Sequence, residues 1–375
     1  MGAWFVVVYS FSGLTRASFE CMKSDYCAPF HASELPGGER SAWKPDRVHV
    51  SNRIAWRRLA PFLAAFLCLC LTPELRGKGM NGKPFVKWAG GKGQLVAQLD
   101  ALLPSDFAER EGLVYVEPFV GGGAMLFHVL SKYPNIRRAV INDLNADLTT
   151  CYKAVRDEPE ELISRLRTFQ SEYARCGDEE ARRTLFLAKR NRYNSKRAQK
   201  VETAALFIFL NRTCFNGLYR VNSKGVFNVP FGKAVNPCIC DEETIRADSV
   251  LLRKVEIRCG DFLCVTNSVS GKAFFYFDPP YRPLTRTAAF TAYSKDGFGD
   301  DEQRRLAGFC RSLDASGHSW LLSNSDPHNV NPSDMFFEEL YDGFDIHRVR
   351  ASRMINSKAS GRGRITELAI RNYKE

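Results

Sequence analysis

Phe274-Phe275-Tyr276-Phe277-Asp278-Pro279-Pro280-Tyr281 is the stretch that decides how this chain is read. The four apolar residues have the length and uniformity of a buried strand. Two successive prolines then fix φ, remove two N–H donors and stop strand and helix alike. The backbone must therefore turn out of the sheet at Pro279. In an open α/β sheet, ligands sit at the carboxyl ends of strands, so the Asp278 carboxylate, the Pro279 carbonyl and the Tyr281 ring are expected to face a ligand crevice. A pair of acceptors beside a flat ring suits a planar base bearing an exocyclic amine. The competing reading is a plain strand-to-loop turn in which Asp278 caps a neighbouring amide.

A second unit lies upstream. Leu113-Val114-Tyr115-Val116 reads as a strand, Glu117-Pro118-Phe119-Val120-Gly121-Gly122-Gly123-Ala124 as a glycine turn, and the following residues through Leu130 as a helix. Glycines let the main chain approach a ligand, and the helix N-terminus offers free N–H groups. The next apolar run, Ala139-Val140-Ile141, ends in Asn142-Asp143, and an acidic residue ~20 positions after such glycines is placed to hold ribose hydroxyls. The third glycine of a dinucleotide fingerprint would fall at Leu126, which favours an adenosine without a pyrophosphate. A glycine-rich loop that serves only a tight turn is the alternative.

Taken in order, Lys87-Trp88-Ala89-Gly90-Gly91-Lys92, the Glu117 to Gly121 loop, Asn216-Gly217-Leu218 with Phe227-Asn228-Val229-Pro230-Phe231-Gly232, and Asp278-Pro279-Pro280-Tyr281 resemble the Dam-type DNA adenine N6-methyltransferases, the D12 class of the α group. The resemblance runs over residues 83–373 and includes Phe290-Thr291-Ala292-Tyr293, Leu322-Ser323-Asn324 and Glu367-Leu368. It implies an α/β, Rossmann-like S-adenosyl-L-methionine-dependent methyltransferase sheet with an inserted, mainly helical target-recognition subdomain. It further implies a catalytic set of Asp278, Pro279, Pro280 and Tyr281, and a cofactor set of Trp88, Lys92, Glu117, Pro118, Phe119, Gly121, Asp143, Asp261, Phe262 and Asp278. The DNA-contacting set it implies is Lys87, Phe215, Asn216, Leu218, Arg220 and Pro230, read as a GATC-like target. Thr213-Cys214 ahead of Phe215 and Val221 after Arg220 depart from the family pattern and leave the recognised bases open. From the residues alone, Trp88 is equally a core aromatic and Lys92 a helix-start cation.

Composition agrees with a polyanionic partner. Lys and Arg number 53 against 42 Asp and Glu, giving a net charge of +11 in 375 residues, and a basic balance of this size favours nucleic acid. Arg182, Arg183, Lys189, Arg190, Arg192, Lys196, Arg197 and Lys200 have no acidic residue between Arg182 and Lys200, and Arg348, Arg350, Arg353, Lys358, Arg362 and Arg364 form a second cluster. As sets they read as a surface that tracks duplex DNA, although any single one is as well explained by a solvated helix face. The 12 cysteines lack paired C-x-x-C spacing and the six histidines are scattered. The expectation is reduced thiols, no metal and a cytoplasmic, nucleoid-associated protein.

Residues 1–79 fit poorly with the rest, and neither of their apolar runs reaches the ~18 residues needed to cross a bilayer. They are expected to be a disordered appendage or a mis-assigned start, with Met80 as the alternative beginning. Residues 80–150 and 252–375 are expected to form the catalytic domain, and 151–251 the DNA-reading insertion. Strands alternating with helices indicate a mostly parallel sheet. Two other readings remain open. One is an N-methyltransferase acting on RNA or a protein amide, and the other a non-catalytic DNA-binding regulator. A monomer, with or without a restriction endonuclease as genetic partner, completes the expectation.

Overall fold

The structure is a computed structural model that describes residues 81–269, 271–283, 298–352 and 364–374. The expected extension over residues 1–79, the matching run at 290–293, and Arg353, Lys358 and Arg362 of the second basic cluster lie outside the described residues.

Among the described residues, seven strands form one sheet in the order β3-β2-β1-β4-β5-β7-β6. They are β1 (Val114–Glu117), β2 (Arg138–Asp143), β3 (Val255–Cys259), β4 (Ala273–Phe277), β5 (Ser319–Ser325), β6 (Asp345–Ser352) and β7 (Arg364–Arg371). β1 pairs in parallel with β2 and β4, β2 with β3, and β4 with β5. β7 inserts antiparallel between β5 and β6. All four residues of β1 and all five of β4 are buried, as central parallel strands covered on both faces require.

Side-chain alternation assigns the two faces. Tyr115, Ala139, Ile141, Phe274, Tyr276 and Leu321 enter one core, whereas Val114, Val116, Val140, Phe275, Phe277 and Leu322 enter the other. The period of two along each strand produces this split. The first core is completed by α1 (Val96–Asp100), α2 (Ala124–Lys132), α3 (Ala146–Asp157), α4 (Pro159–Ala174), α5 (Glu179–Asn194), α6 (Lys200–Thr213) and α7 (Glu242–Leu252). The second is completed by α8 (Asp300–Ala315) and α9 (Phe336–Leu340). The result is an α/β Rossmann-like layered sheet.

Local chemistry sets the element ends. Asn145 caps α3 by accepting from the amides of Asp147 and Leu148, Asp178 caps α5 through the Ala181 amide, and Asp241 caps α7 through the Thr244 amide. Pro159 occupies the first turn of α4, where its missing N–H has no consequence. A 3-10 turn over Lys92–Gln94 precedes α1, which stops at Asp100. Pro104 disfavours helical backbone at Leu103 just before it, so the segment closes in turns.

The chain leaves β1 toward β2 and β3, then returns on the other side of β1 as β4 and continues to β5. The strand order thus reverses between β1 and β4, which is where such sheets open a crevice. Gly123 starts α2 at that point with φ 73°, and an added Cβ would lie 2.5 Å from the Tyr152 hydroxyl. Gly123→Ala therefore combines left-handed strain with a clash, and it should lower unfolding stability by more than about 1 kcal/mol. Urea titration checks this, and an unchanged midpoint would refute the packing described.

Candidate active site

Three strand ends are tied together at the crevice. The Asp143 carboxylate, at the end of β2, accepts from the Gly121 amide at 3.1 Å and from the Asn145 amide at 2.8 Å. Burial raises its pKa, and those two amides offset part of the rise. Beside it, the buried Asn142 amide donates to the Pro118 carbonyl at 3.0 Å and the Gly260 carbonyl at 2.9 Å, joining the ends of β1, β2 and β3. Phe119 packs on Phe262 at 5.3 Å between ring centroids. Asp261 accepts from the Leu263 amide and from Arg305, whose guanidinium lies over the Phe262 ring. Gly121 has φ 49°, and a Cβ there would come within 2.8 Å of the Trp88 ring. Trp88 is half-buried and stacks on Tyr219 and Phe207.

On the other side of the switch point, Lys92 is only 5 % exposed and its ammonium is enclosed by four groups. It lies 3.0 Å from Asp278 Oδ1, 3.6 Å from Glu367 Oε2, 3.0 Å from the Gly90 carbonyl, which accepts from it, and 4.2 Å from the centre of the Tyr281 ring. The Tyr281 hydroxyl donates to Glu367 Oε2 at 2.5 Å. The Asp278 side chain keeps 23 % of its surface open. Burial raises its pKa, the Lys92 ammonium lowers it, and the Glu367 carboxylate raises it. Burial also pushes the Tyr281 phenol well above its usual value. Glu117, at the end of β1, is raised to about 8 by burial, with the hydrogen bond from the Tyr115 hydroxyl opposing and the Asp278 charge adding to the rise.

The turn after Asp278 is held from behind. Gln303 donates to the Pro280 carbonyl at 3.2 Å, and Asn324 donates to Gln303 while accepting from the Arg282 amide. Arg282 bridges Asp300 and Asp334. Among the described residues the Pro279 carbonyl has no hydrogen-bond donor. The partly open Asp278 carboxylate and this carbonyl are adjacent acceptors at the end of β4.

The third cluster lies after α6. The buried Asn211 side chain accepts from the Lys87 amide and donates to the carbonyls of Lys87 and Gly217. It thereby fixes the turn over Phe215–Gly217 against the segment that leads to Trp88 and Lys92. Phe215 is 51 % exposed, and Asn216 adopts φ 54°. The Phe215 amide donates to the Pro230 carbonyl, and the exposed Arg220 donates through Nε to Asn228 Oδ1 at 2.9 Å. Among the described residues its two terminal nitrogens have no hydrogen-bond partner. Leu218 is half-buried, and Lys87 and Pro230 are exposed.

Comparison with known proteins agrees with this geometry. The model of the D12 class N6 adenine-specific DNA methyltransferases matches residues 88–355. The chain belongs to that family. It is 47 % identical over 297 residues to the Type II methyltransferase M.MjaIII of Methanocaldococcus jannaschii, covering 78 % of this chain and all of that protein. It is 39 % identical over 304 residues to the Type II methyltransferase M1.LlaDCHI of Lactococcus lactis subsp. cremoris, covering 80 % and 98 %. It is 31 % identical over 287 residues to the DNA adenine methylase of Vibrio cholerae strain O395, covering 76 % and 94 %. The chain is thus an adenine-specific DNA methyltransferase, and its class takes S-adenosyl-L-methionine as methyl donor. The donor set fits that molecule: the Asp143 carboxylate suits ribose hydroxyls, the Phe119 and Phe262 rings suit an adenine, and the carboxylates around the crevice suit its positive charge.

Of the expected residues, the structure brings together Gly121 with Asp143, Phe119 with Phe262, Lys92 with Asp278 and Tyr281, and Phe215 with Pro230. The first basic cluster is less free than its composition implied. Lys189 pairs with Glu172, Arg192 with Glu202 and Lys196 with Asp147, so acids from other segments neutralise part of it. In the second cluster Arg348 pairs with Asp326 and Glu338. In the D12 site the residues that sequence reasoning left without a role are Glu367, Asn142, Asn211, Gln303 and Asn324. Glu367 and Asn324 stand in matching runs, but only folding places them at Tyr281 and the Asp278 turn. Among the described residues no group of three or more His, Cys, Asp or Glu could hold a metal ion, and no helix is long and apolar enough to cross a membrane.

Glu117 supplies a pH test. Its folded pKa of about 8 stands above its unfolded value of 4.5, so the folded state binds the extra proton between these values. Stability should therefore fall as pH rises through that window, with the full penalty felt above it. Glu117→Gln should remove this component. Chemical denaturation of both proteins from pH 5 to 9 checks it, and parallel stability curves would refute a buried, proton-bearing Glu117.

Proposed function

We propose that this methyltransferase flips its target adenine out of duplex DNA and holds N6 at the Asp278 corner, stacked on Tyr281. The observation that carries the reading is the partly open Asp278 carboxylate at the end of β4, held by the same Lys92 ammonium that lies over the Tyr281 ring; the Pro279 carbonyl, which has no donor among the described residues, is proposed as the second acceptor. A base inside a duplex cannot reach such a corner, so it must leave the stack at a cost of a few kcal/mol. Stacking on an aromatic ring offsets this by about 1–3 kcal/mol. The Lys92 ammonium covers one face of Tyr281, so the base takes the other face or displaces the ammonium.

The chemistry required of the protein is modest. The N6 lone pair is delocalised into the ring, which makes the amine a weak nucleophile. Asp278 and the Pro279 carbonyl, each accepting one N–H, favour a pyramidal nitrogen and localise that lone pair. Most of the rate gain then comes from positioning. When bound, S-adenosyl-L-methionine supplies an electrophilic methyl group. Trp88, Lys92, Glu117, Pro118, Phe119, Gly121, Asp143, Asp261 and Phe262 are proposed to line its site, with Asp143 on the ribose. The methylated amine sheds its proton readily, so no histidine base is needed.

Target reading is assigned to residues 151–251. Exposed Phe215 is proposed to fill the space the base vacates. Asn216, Leu218, Lys87 and Pro230 surround it, and Arg220 is proposed to read a guanine through its two terminal nitrogens, as a bidentate contact requires. The family resemblance supports a GATC-like site. The names of two relatives, both Type II methyltransferases, support genetic pairing with a restriction endonuclease.

Asp278→Ala should bind duplex DNA with near-normal affinity yet transfer no methyl group from labelled cofactor; turnover close to normal would remove Asp278 from the centre of the mechanism. Arg220→Ala should relax sequence preference at one position by about 1–3 kcal/mol, read by sequencing the methylated products. An unchanged preference would take Arg220 out of the reading set.

A further inference from the structure

Glu367 sits on the antiparallel strand β7, 89 residues after Asp278 in the chain, and pairs in register with Ser325 of β5 and Val349 of β6. Both of the contacts its side chain makes at the site go to groups that the reaction uses. It accepts from the Tyr281 hydroxyl at 2.5 Å and stands 3.6 Å from the Lys92 ammonium, which Asp278 also holds at 3.0 Å. A carboxylate beside another carboxylate is unfavourable unless a cation lies between them, and Lys92 is that cation. Without Glu367, the ammonium would have Asp278 as its sole anionic partner and would occupy the oxygen lone pairs that an adenine amine needs. The Tyr281 phenol would likewise lose its acceptor, and the ring would be free to turn about χ1 and χ2.

We propose that Glu367 is a positioning residue for methyl transfer: its carboxylate anchors the Tyr281 ring and shares the Lys92 ammonium with Asp278, so that Lys92 stays on one Asp278 oxygen and the other is open to the N6 amine. This rests on the base-flipping reading above. The groups facing Asp278 are Lys92 from the 3-10 turn, Glu117 from β1, Tyr276 from β4 itself, Tyr281 from the following turn and Glu367 from β7. Glu117 carries its proton at neutral pH, so Glu367 is the negative charge that bears on Asp278 there.

The test compares full-length wild type, Glu367→Gln and Glu367→Asp in steady-state methyl transfer to duplex DNA across pH 5 to 9, with thermal melting to establish folding. Glu367→Gln should keep KM for DNA near the wild-type value and lose about tenfold to a hundredfold in kcat. Its acid limb should move to lower pH, because the charge that raises Asp278 is gone. Glu367→Asp keeps the charge but shortens the reach to Tyr281, so kcat should fall with the acid limb unmoved. Wild-type kcat and acid limb in Glu367→Gln would overturn the proposal, as would a kcat loss matched by lost folded protein with no shift of the limb. Should Glu367→Gln not fold, wild-type kcat in Glu367→Asp overturns it. Absence of N6-methyladenine from the wild-type reaction would instead count against the functional reading.

Discussion

The site depends on a buried cation. Lys92 carries its charge almost out of contact with water, and an ammonium so placed persists only when anions and hydrogen-bond acceptors surround it. Asp278, Glu367 and the Gly90 carbonyl provide that surround from three separate segments. The same ammonium lowers the pKa of Asp278 against the effect of burial. One ion cluster thus fixes the 3-10 turn at Lys92, the end of β4 and the middle of β7 relative to each other. It engages Asp278 through Oδ1 and leaves that side chain partly open.

Sheet topology makes the cluster possible. The order reversal between β1 and β4 opens the crevice, and β7 enters between β5 and β6 so that Glu367 reaches the turn after β4. On the far side of β1, Asn142 and Asp143 close the glycine loop onto β2 and β3. Asn211 then secures the turn over Phe215–Gly217 to Lys87 and so to the segment carrying both Trp88 and Lys92. The turn at Phe215, the glycine loop and the Asp278 turn are therefore connected through a few buried amides and carboxylates. Buried polar networks of this kind stay rigid only when their members are satisfied.

Much of this was legible in the chain because the central strands are nearly uniform in apolar character and end in chemically conspicuous turns. Phe274 to Phe277 followed by two prolines, and Val114 to Val116 followed by the glycines, mark the ends of β4 and β1 in the sequence itself. Lys92 was ambiguous, since a lysine at a helix start reads as solvated until its carboxylate partners are known. Glu367 stands in a run that resembles the family, but its place at Tyr281 arises from an antiparallel strand whose register cannot be read from residue spacing. Asn142 and Asn211 were hidden for a similar reason: an amide that bridges carbonyls of distant segments looks like any polar residue at the end of an element. The basic clusters erred the other way. Composition counted charges, whereas folding neutralised Lys189, Arg192, Lys196 and Arg348 with acids from other segments.

The claim that a flipped base lies against Tyr281 is open to direct measurement. Once the methylated adenine has been mapped, a duplex carrying 5-iodouracil at that position can be irradiated in complex with the enzyme and the cross-linked peptide sequenced. The account predicts a covalent adduct on Tyr281, lost when the photoreactive base is moved a few positions along the strand. A cross-link that maps to a residue remote from the Asp278 turn, or one insensitive to the position of the base, would contradict it.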